Sequence, residues 1–457
     1  MTKRRASAAV ATGARLVAGV LVAAACVVAV GVGVAAPWPD REGAAAQTQV
    51  TTVPGDAVLV CTGSFRALGR DAQTADRMES AGIGRITVDG DPDEPEQSSI
   101  DTPDLVGGEG AAVFTAEVEG RESPLIAASE SLQLSEEDLT GLAAAPCQET
   151  STQSWIVGGS TETGASDVLV LSNPGSVTAT VTLTVFGGQQ ETSTWVVPAQ
   201  TQIAVPFASI AAGVETPVVQ VVSEGSPVRA VLQSALVRTL DPAGIDLQGS
   251  TTEASEELSF AGVQVITPNE GSATDVLRLL AVDADTEARV IVRGDDGEAV
   301  SDFTVPLTAE VPLDVALADL AVGTYSVEVT AGTALVGGVW QSTGDGAGTD
   351  FAWTTPAPAL TDDTLVAVPS GPSPRLHLVN PTGTDAVVTL TALGGEEREI
   401  TVAAGASELV SVSPSTVYRL SADGEIRAAV TMTGEDQLAG WPVTPGSAAQ
   451  KEITVYP

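Results

Sequence analysis

The sequence predicts a mainly β protein: an N-terminal transmembrane helix followed by a tandem array of immunoglobulin-like antiparallel β-sandwich modules. Three observations lead there. A stretch of 21 or 22 residues recurs three times, as SDVLVLSNPGSVTATVTLTVFG (Ser166–Gly187), TDVLRLLAVDADTEARVIVRG (Thr274–Gly294) and PRLHLVNPTGTDAVVTLTALG (Pro374–Gly394). Each copy is an apolar segment, a turn, an alternating segment and a glycine, and a repeat of this length signals a module array. Val, Thr, Ala and Gly are abundant while aromatics make up only 4%, a composition that suits strands and turns better than helices. Finally, an uncharged apolar run follows Lys3, Arg4 and Arg5 at the start of the chain.

Taken in order, residues 1–15 form a basic segment expected in the cytoplasm. Residues 16–36, from Leu16 to Ala36, carry no charge and are long enough to cross a bilayer as a helix. Positive residues ahead of them place the remainder of the chain outside the cytoplasm. The run is longer than the ~7–15 residues of a signal h-region. Pro37 after Ala35 and Ala36 also makes a poor cleavage product, which favours an anchor over a signal. Residues 37–52 read as a linker, with Trp38 expected at the membrane interface.

Residues 53–150 read as a β-rich domain closed by a disulfide. Cys61 and Cys147 are a pair of thiols in an oxidising compartment, and they lack the spacing and histidine partners of a metal or redox site. Short strands are expected at Ala57–Cys61, Ile83–Val88, Ala112–Val118 and Pro124–Ala128. Leu132–Ala145, with Ser135 ahead of Glu136, Glu137 and Asp138, reads as a short capped helix or turn. Asp89–Gln97 is acidic and broken by proline, so a disordered surface loop is expected. Asp89, Asp91 and Asp93 have the opening spacing of a calcium loop. Glu94 and Ile100, however, stand where its glycine and closing glutamate belong.

Three sandwich repeats follow, at 154–245, 258–345 and 364–457, with a linker at 346–363. In the first, Ala179, Val181, Leu183 and Val185 fall on one face and the intervening threonines on the other, as a half-buried hairpin strand requires. Ala288, Val290 and Val292 take those places in the second, and Val388, Leu390 and Ala392 in the third. Asn173-Pro174 and Asn380-Pro381 occupy the same place in two repeats. Asn-Pro starts a turn well and its proline bars glycosylation, so a structural role is expected. The middle repeat has Val282-Asp283 there instead.

The formal net charge of −39 opposes binding to nucleic acid and favours solubility, divalent cations or basic partners. His377 is the sole histidine, expected to be packing or surface rather than a catalytic base. No catalytic, metal-ligating or cofactor-binding residue is predicted: a zinc site on His and Cys lacks its ligands, and no phosphate loop is present. Of six tryptophans, Trp155, Trp195 and Trp340 are expected in sandwich cores. Trp353 and Trp441 are the candidate surface contacts.

Together the anchor, Cys61 and Cys147, Trp155–Gly159, Leu171–Gly175 with Phe186–Gly188, and Asp350-Phe351-Ala352-Trp353 resemble an uncharacterised actinobacterial family of exported proteins. The resemblance implies a cell-envelope protein, often encoded near a large membrane glycosyltransferase, and it carries over no catalytic residue. The expectation is a non-enzymatic extracytoplasmic scaffold or interaction protein, single-pass in the cell membrane, whose partner is an envelope protein or glycan. Two alternatives stand beside it. One is an accessory subunit of a membrane glycosyltransferase or envelope-assembly complex, reading a glycan through exposed Trp353 or Trp441. The other is a glycan hydrolase working through a carboxylate pair in a cleft.

Overall fold

The structure is a computed structural model and describes residues 17–32, 48–51, 55–70, 77–118, 124–188, 190–267, 274–446 and 452–455. Helix α1 covers residues 17–32, a length of 16 residues against the roughly 20 that span a bilayer. Among the described residues no helix is long and apolar enough to cross a membrane, so the transmembrane helix expected over 16–36 is not supported, and what is seen there is the shorter α1. Leu16, 33–36 and Trp38 lie outside the described residues. Strand β1 (Thr48–Thr51) pairs antiparallel with a strand at Glu452–Val455, and these belong with α1 to one unit, while Val53–Gln450 form another.

That second unit holds four modules. Module 1 comprises β2 (Ala57–Val60), β3 (Phe65–Leu68), β4 (Met78–Gly82), β5 (Arg85–Asp91), β6 (Glu96–Ser99), β7 (Leu105–Val106), β8 (Ala112–Ala116), β9 (Leu125–Ser135) and β10 (Thr140–Pro146). They make three small sheets, β2-β8-β6, β3-β4-β7 and β10-β9-β5. Two expectations are corrected here. Leu132–Ala145 is not a helix but most of the β9–β10 hairpin, with Glu136–Leu139 as its turn. Tertiary packing overrides the local preference: Ala143, Ala144 and Ala145 are all buried, alternating between two hydrophobic cores as successive residues of a strand do. The acidic stretch is also more ordered than its composition suggests: β5 runs to Asp91 and β6 starts at Glu96, each paired to a neighbour.

Module 2 comprises β11 (Gln153–Val157), β12 (Val168–Asn173), β13 (Ala179–Phe186), β14 (Glu191–Val197), β15 (Thr201–Pro206), β16 (Val218–Glu224), β17 (Arg229–Arg238) and β18 (Asp241–Gly249). Sheet β11-β16-β13-β14 packs on sheet β15-β12-β17-β18. Module 3 comprises β19 (Ser255–Val265), β20 (Asp275–Ala281), β21 (Thr286–Arg293), β22 (Ala299–Leu307), β23 (Leu313–Ala316), β24 (Gly323–Ser342) and β25 (Phe351–Thr354). Module 4 comprises β26 (Thr364–Val368), β27 (Arg375–Val379), β28 (Ala386–Ala392), β29 (Glu397–Val402), β30 (Ser407–Ser411), β31 (Thr416–Ala422), β32 (Arg427–Gly434) and β33 (Gln437–Pro442). The strand paired with β1 is β34 (Glu452–Val455).

Module 4 repeats the strand order of module 2, with β26-β31-β28-β29 packed on β30-β27-β32-β33. Module 3 keeps that order but fuses its sixth and seventh strands. The 20-residue β24 pairs with β19 and β21 along its first half and with β20 and β25 along its second, so one strand serves both sheets. Strand β25 lies inside the segment 346–363 read from sequence as a linker.

The repeat is not a hairpin. β12 pairs with β15 and β17, whereas β13 pairs with β14 and β16, so the turn between them carries the chain from one sheet to the other. β27 and β28 behave alike. Burial explains it: β12 is buried along its whole length, as a strand covered on both faces must be, while β13 alternates. The Asn-Pro turns hold this crossover. Asn173 Nδ2 donates to the carbonyls of Val177, Val197 and Pro198, and its Oδ1 accepts from Gly175 N and Ser226 Oγ. Asn380 makes the matching bonds to Thr384 O and Val402 O and accepts from Thr382.

The modules pack in a closed cycle. Met78 and Leu105 of module 1 meet Val168 and Val170 of module 2. Trp155 and Phe186 of module 2 meet Leu280 and Val336 of module 3. Ala261 and Ala357 of module 3 meet Val379 and Ala429 of module 4, and Leu365 and Val417 of module 4 close on Ala127 of module 1.

Candidate functional site

Each module contributes its last strand, β10, β18, β25 or β33, to the middle of this cycle. All four are sheet edges, whose outward backbone groups would be left unpaired when buried. The side chains of β10 are shared by alternation. Leu142 and Ala144 enter the core of module 4 beside Trp441, while Ala143 and Ala145 pack with Ile245 and Leu247 of module 2.

The edge N–H groups converge on one carboxylate. Asp350, fully buried just ahead of β25, accepts Leu142 N at 2.8 Å from module 1, Ile245 N at 3.2 Å from module 2 and Leu438 N at 3.0 Å from module 4. One side chain of module 3 therefore joins all four modules. Gly141 and Gly244 make the approach possible. Their φ values are 144° and 117°, and a Cβ on either would fall within 2.7 Å of Asp350 Oδ1, so glycine is required on both counts.

A second carboxylate adjoins it. Asp246 Oδ2 accepts Trp353 N at 2.8 Å, tying β18 to β25. Burial pushes the Asp246 carboxyl well above its ordinary value, with the charges of Asp350 and Asp167 pushing the same way. Burial also moves Asp350 from 3.8 to about 7, outweighing the N–H groups that favour its ionised form. Asp167, which accepts Ser160 N, is likewise raised by burial to about 7. Across the module 2–3 junction, Arg278 donates to the carbonyls of Gly159 and Pro217 and to the Asp314 carboxylate, with its guanidinium 5.0 Å from the Trp353 ring centroid.

The module 1–2 junction is also polar. Arg229 Nη1 donates to Thr62 Oγ1 and Nη2 to Pro146 O, and Arg66 exchanges backbone bonds with the Gln233 amide. Glu130 Oε1 accepts Thr62 N; its pKa is raised by burial, with the Arg229 charge opposing.

The residues singled out from sequence fall as follows. Cys61 and Cys147 form the expected disulfide, closing an 86-residue separation. Trp353 and Trp441 are not surface contacts: they are 7% and 5% exposed, because β25 and β33 lie inside the cycle rather than in tails outside it. Trp155 is buried as expected, whereas Trp195 and Trp340 are only half-buried. His377 is buried, hydrogen-bonded to Thr431 Oγ1 at 2.7 Å, with its pKa lowered by burial to about 4. It packs under Gly262 of β19, so it is a neutral joint between modules 3 and 4. Among the described residues no group of three or more His, Cys, Asp or Glu could hold a metal ion. Sequence reasoning quoted Asp350 within a family motif but missed its role.

Chemically, this centre holds modules together. Its carboxylates face backbone N–H groups in the interior instead of a cleft. Residues 106–413, about two thirds of the chain, match a family of unknown function (DUF5719). No curated protein matches. Among solved structures, the chain is similar to a tetra-tandem repeat in the extending region of a large adhesion protein. The identity is 14%, covering 87% of this chain and 94% of that one, at a TM-score of 0.13, too low to bear on the fold.

Proposed function

The chain belongs to the DUF5719 family of unknown function, and we propose that it is a non-enzymatic scaffold or interaction protein of the actinobacterial cell envelope, held outside the cytoplasm by its N-terminal apolar segment. The observation that carries this reading is the Asp350 junction. One buried carboxylate bonded to three other modules makes a fixed platform of the four, with outer strand edges and loops left over for partners. The anchoring part draws on α1, whose residues are uncharged and all exposed, a surface that calls for lipid or protein cover. The disulfide accords with an oxidising compartment.

The glycan-reading alternative relied on Trp353 or Trp441 at the surface, and both are interior. The hydrolase alternative needs a substrate-accessible carboxylate pair, whereas Asp246 and Asp350 are spent on backbone N–H groups. Crosslinking of the full chain in its native cells, followed by mass spectrometry, tests the proposal. Reproducible recovery of an envelope protein is expected. Turnover of a wall glycan by the purified chain would overturn it.

A further inference from the structure

The fifth strand of each sandwich module ends one sheet, and modules 2 and 4 show what this edge receives. In module 2 the outer edge of β15 is joined by backbone from module 1: Asp101 N donates to Gln200 O and Gln202 N donates to Asp101 O. In module 4 the outer edge of β30 is met by module 3, where Ser407 N donates to Asp295 O and Gly297 lies against Gly405. The equivalent edge of module 3 is β23, and among the described residues no backbone group is bonded to its outer side.

Register identifies the outward groups. Leu317 N donates to Asp275 O, and β23 pairs with β20 through Val315–Leu277 and Leu313–Leu279. Alternation by two therefore turns Leu313, Val315 and Leu317 toward β20 and leaves the N–H and C=O of Asp314 and Ala316 aimed outward. Beside this edge, where the two sheets part, lies a cleft of about 220 Å³ lined by Phe303, Ala316, Leu317 and Leu320 among others. Glu310 and Asp319 are exposed along the same stretch, which carries no basic residue of its own, on a chain of net charge −39, while the Asp314 carboxylate is already paired with Arg278 of β20.

We propose that β23 is a docking edge for an extended, basic segment of a partner protein, which adds as a strand to Asp314 and Ala316 and lodges an apolar side chain in the Phe303–Leu320 cleft. Each sister edge receives backbone bonds from a single residue within this same molecule, Asp101 at β15 and Asp295 at β30, and main-chain bonds with alternate side-chain pockets are how such edges recognise peptides. The acidic surroundings choose the charge of the occupant and disfavour a second copy of this chain, whose own edge is equally acidic. This deepens the interaction-protein reading and rests on it. Failure here would leave that reading standing, because native crosslinking tests it separately.

The test uses the full chain and a capped octapeptide of alternating valine and lysine, with an aspartate-for-lysine peptide as its control. Saturable one-to-one binding of the lysine peptide is expected, at least about tenfold tighter than the control, with slowed amide exchange confined to residues 310–320. Ala316→Pro removes an outward N–H at a position where edge strands tolerate proline and should weaken binding about tenfold or more. Leu313→Lys, an exposed edge position, should weaken it as well and serves if the proline variant fails to fold. Binding that neither variant changes would be attraction to the acidic surface at large and would overturn the proposal. So would self-association of the chain that Ala316→Pro abolishes, since the occupant would then be a second copy.

Discussion

Replacing Asp350 by asparagine separates the charge of the central clamp from its shape. Burial raises the Asp350 carboxyl from 3.8 to about 7. Between those values the folded chain holds a proton that the unfolded chain has released. The group's contribution to stability is therefore complete below about pH 3.8 and is lost as pH rises through about 7. The whole displacement corresponds to on the order of 4 kcal/mol, of which about 3 kcal/mol falls between pH 5 and 8.5. Asparagine has nearly the shape of the neutral acid and does not titrate. Wild type should thus lose about 3 kcal/mol relative to Asp350→Asn over that interval.

The comparison cancels groups that the two chains share. His377, lowered by burial to about 4, acts in the opposite sense: its contribution is present above pH 6.5 and is lost as pH falls toward 4. It contributes equally to both proteins. Asp246 does not cancel fully, because the Asp350 charge raises it; relieving that repulsion adds to the expected difference. The assay is urea unfolding at both pH values, followed by tryptophan fluorescence and circular dichroism, with coincident transitions licensing the free energies. Parallel profiles, within about 0.5 kcal/mol, would refute the argument. The backbone N–H groups of Leu142, Ile245 and Leu438 would then outweigh burial and hold the carboxylate ionised throughout.

Asn173→Ala and Asn380→Ala each remove several hydrogen bonds made by a buried asparagine at a crossover turn and should each cost about 2–4 kcal/mol, read from the urea midpoint. Replacing Cys61 and Cys147 together by alanine opens an 86-residue loop and should cost on the order of 4–5 kcal/mol in the same measurement. Gly262→Ala puts a Cβ 2.9 Å from the His377 ring at a φ of +72° and should destabilise by about 2–4 kcal/mol. Adding His377→Ala should restore the part due to the clash and leave the backbone strain.

What could be read from the sequence was local in origin. Alternation in Ala179–Val185 and in Ala288–Val292 is a period of two within one strand, and each of those inward residues is buried. The Asn-Pro turns and the two exported cysteines are also short-range or countable. Strand partners were not, since the same alternation is compatible with a hairpin and with a crossover between sheets. The β9–β10 hairpin was misread because Ser135 ahead of Glu136, Glu137 and Asp138 has the local pattern of a helix cap, whereas those acidic residues form the hairpin's turn. The centre was the least legible. Asp350 meets Leu142, Ile245 and Leu438 across sequence separations of 208, 105 and 88, and no local periodicity spans such distances. One trace does survive in the chain: Gly141-Leu142 and Gly244-Ile245 each place a glycine of positive φ directly before the donating residue. A glycine interrupting a buried final strand is costly unless something approaches its backbone closely, and in this protein what approaches is the Asp350 carboxylate.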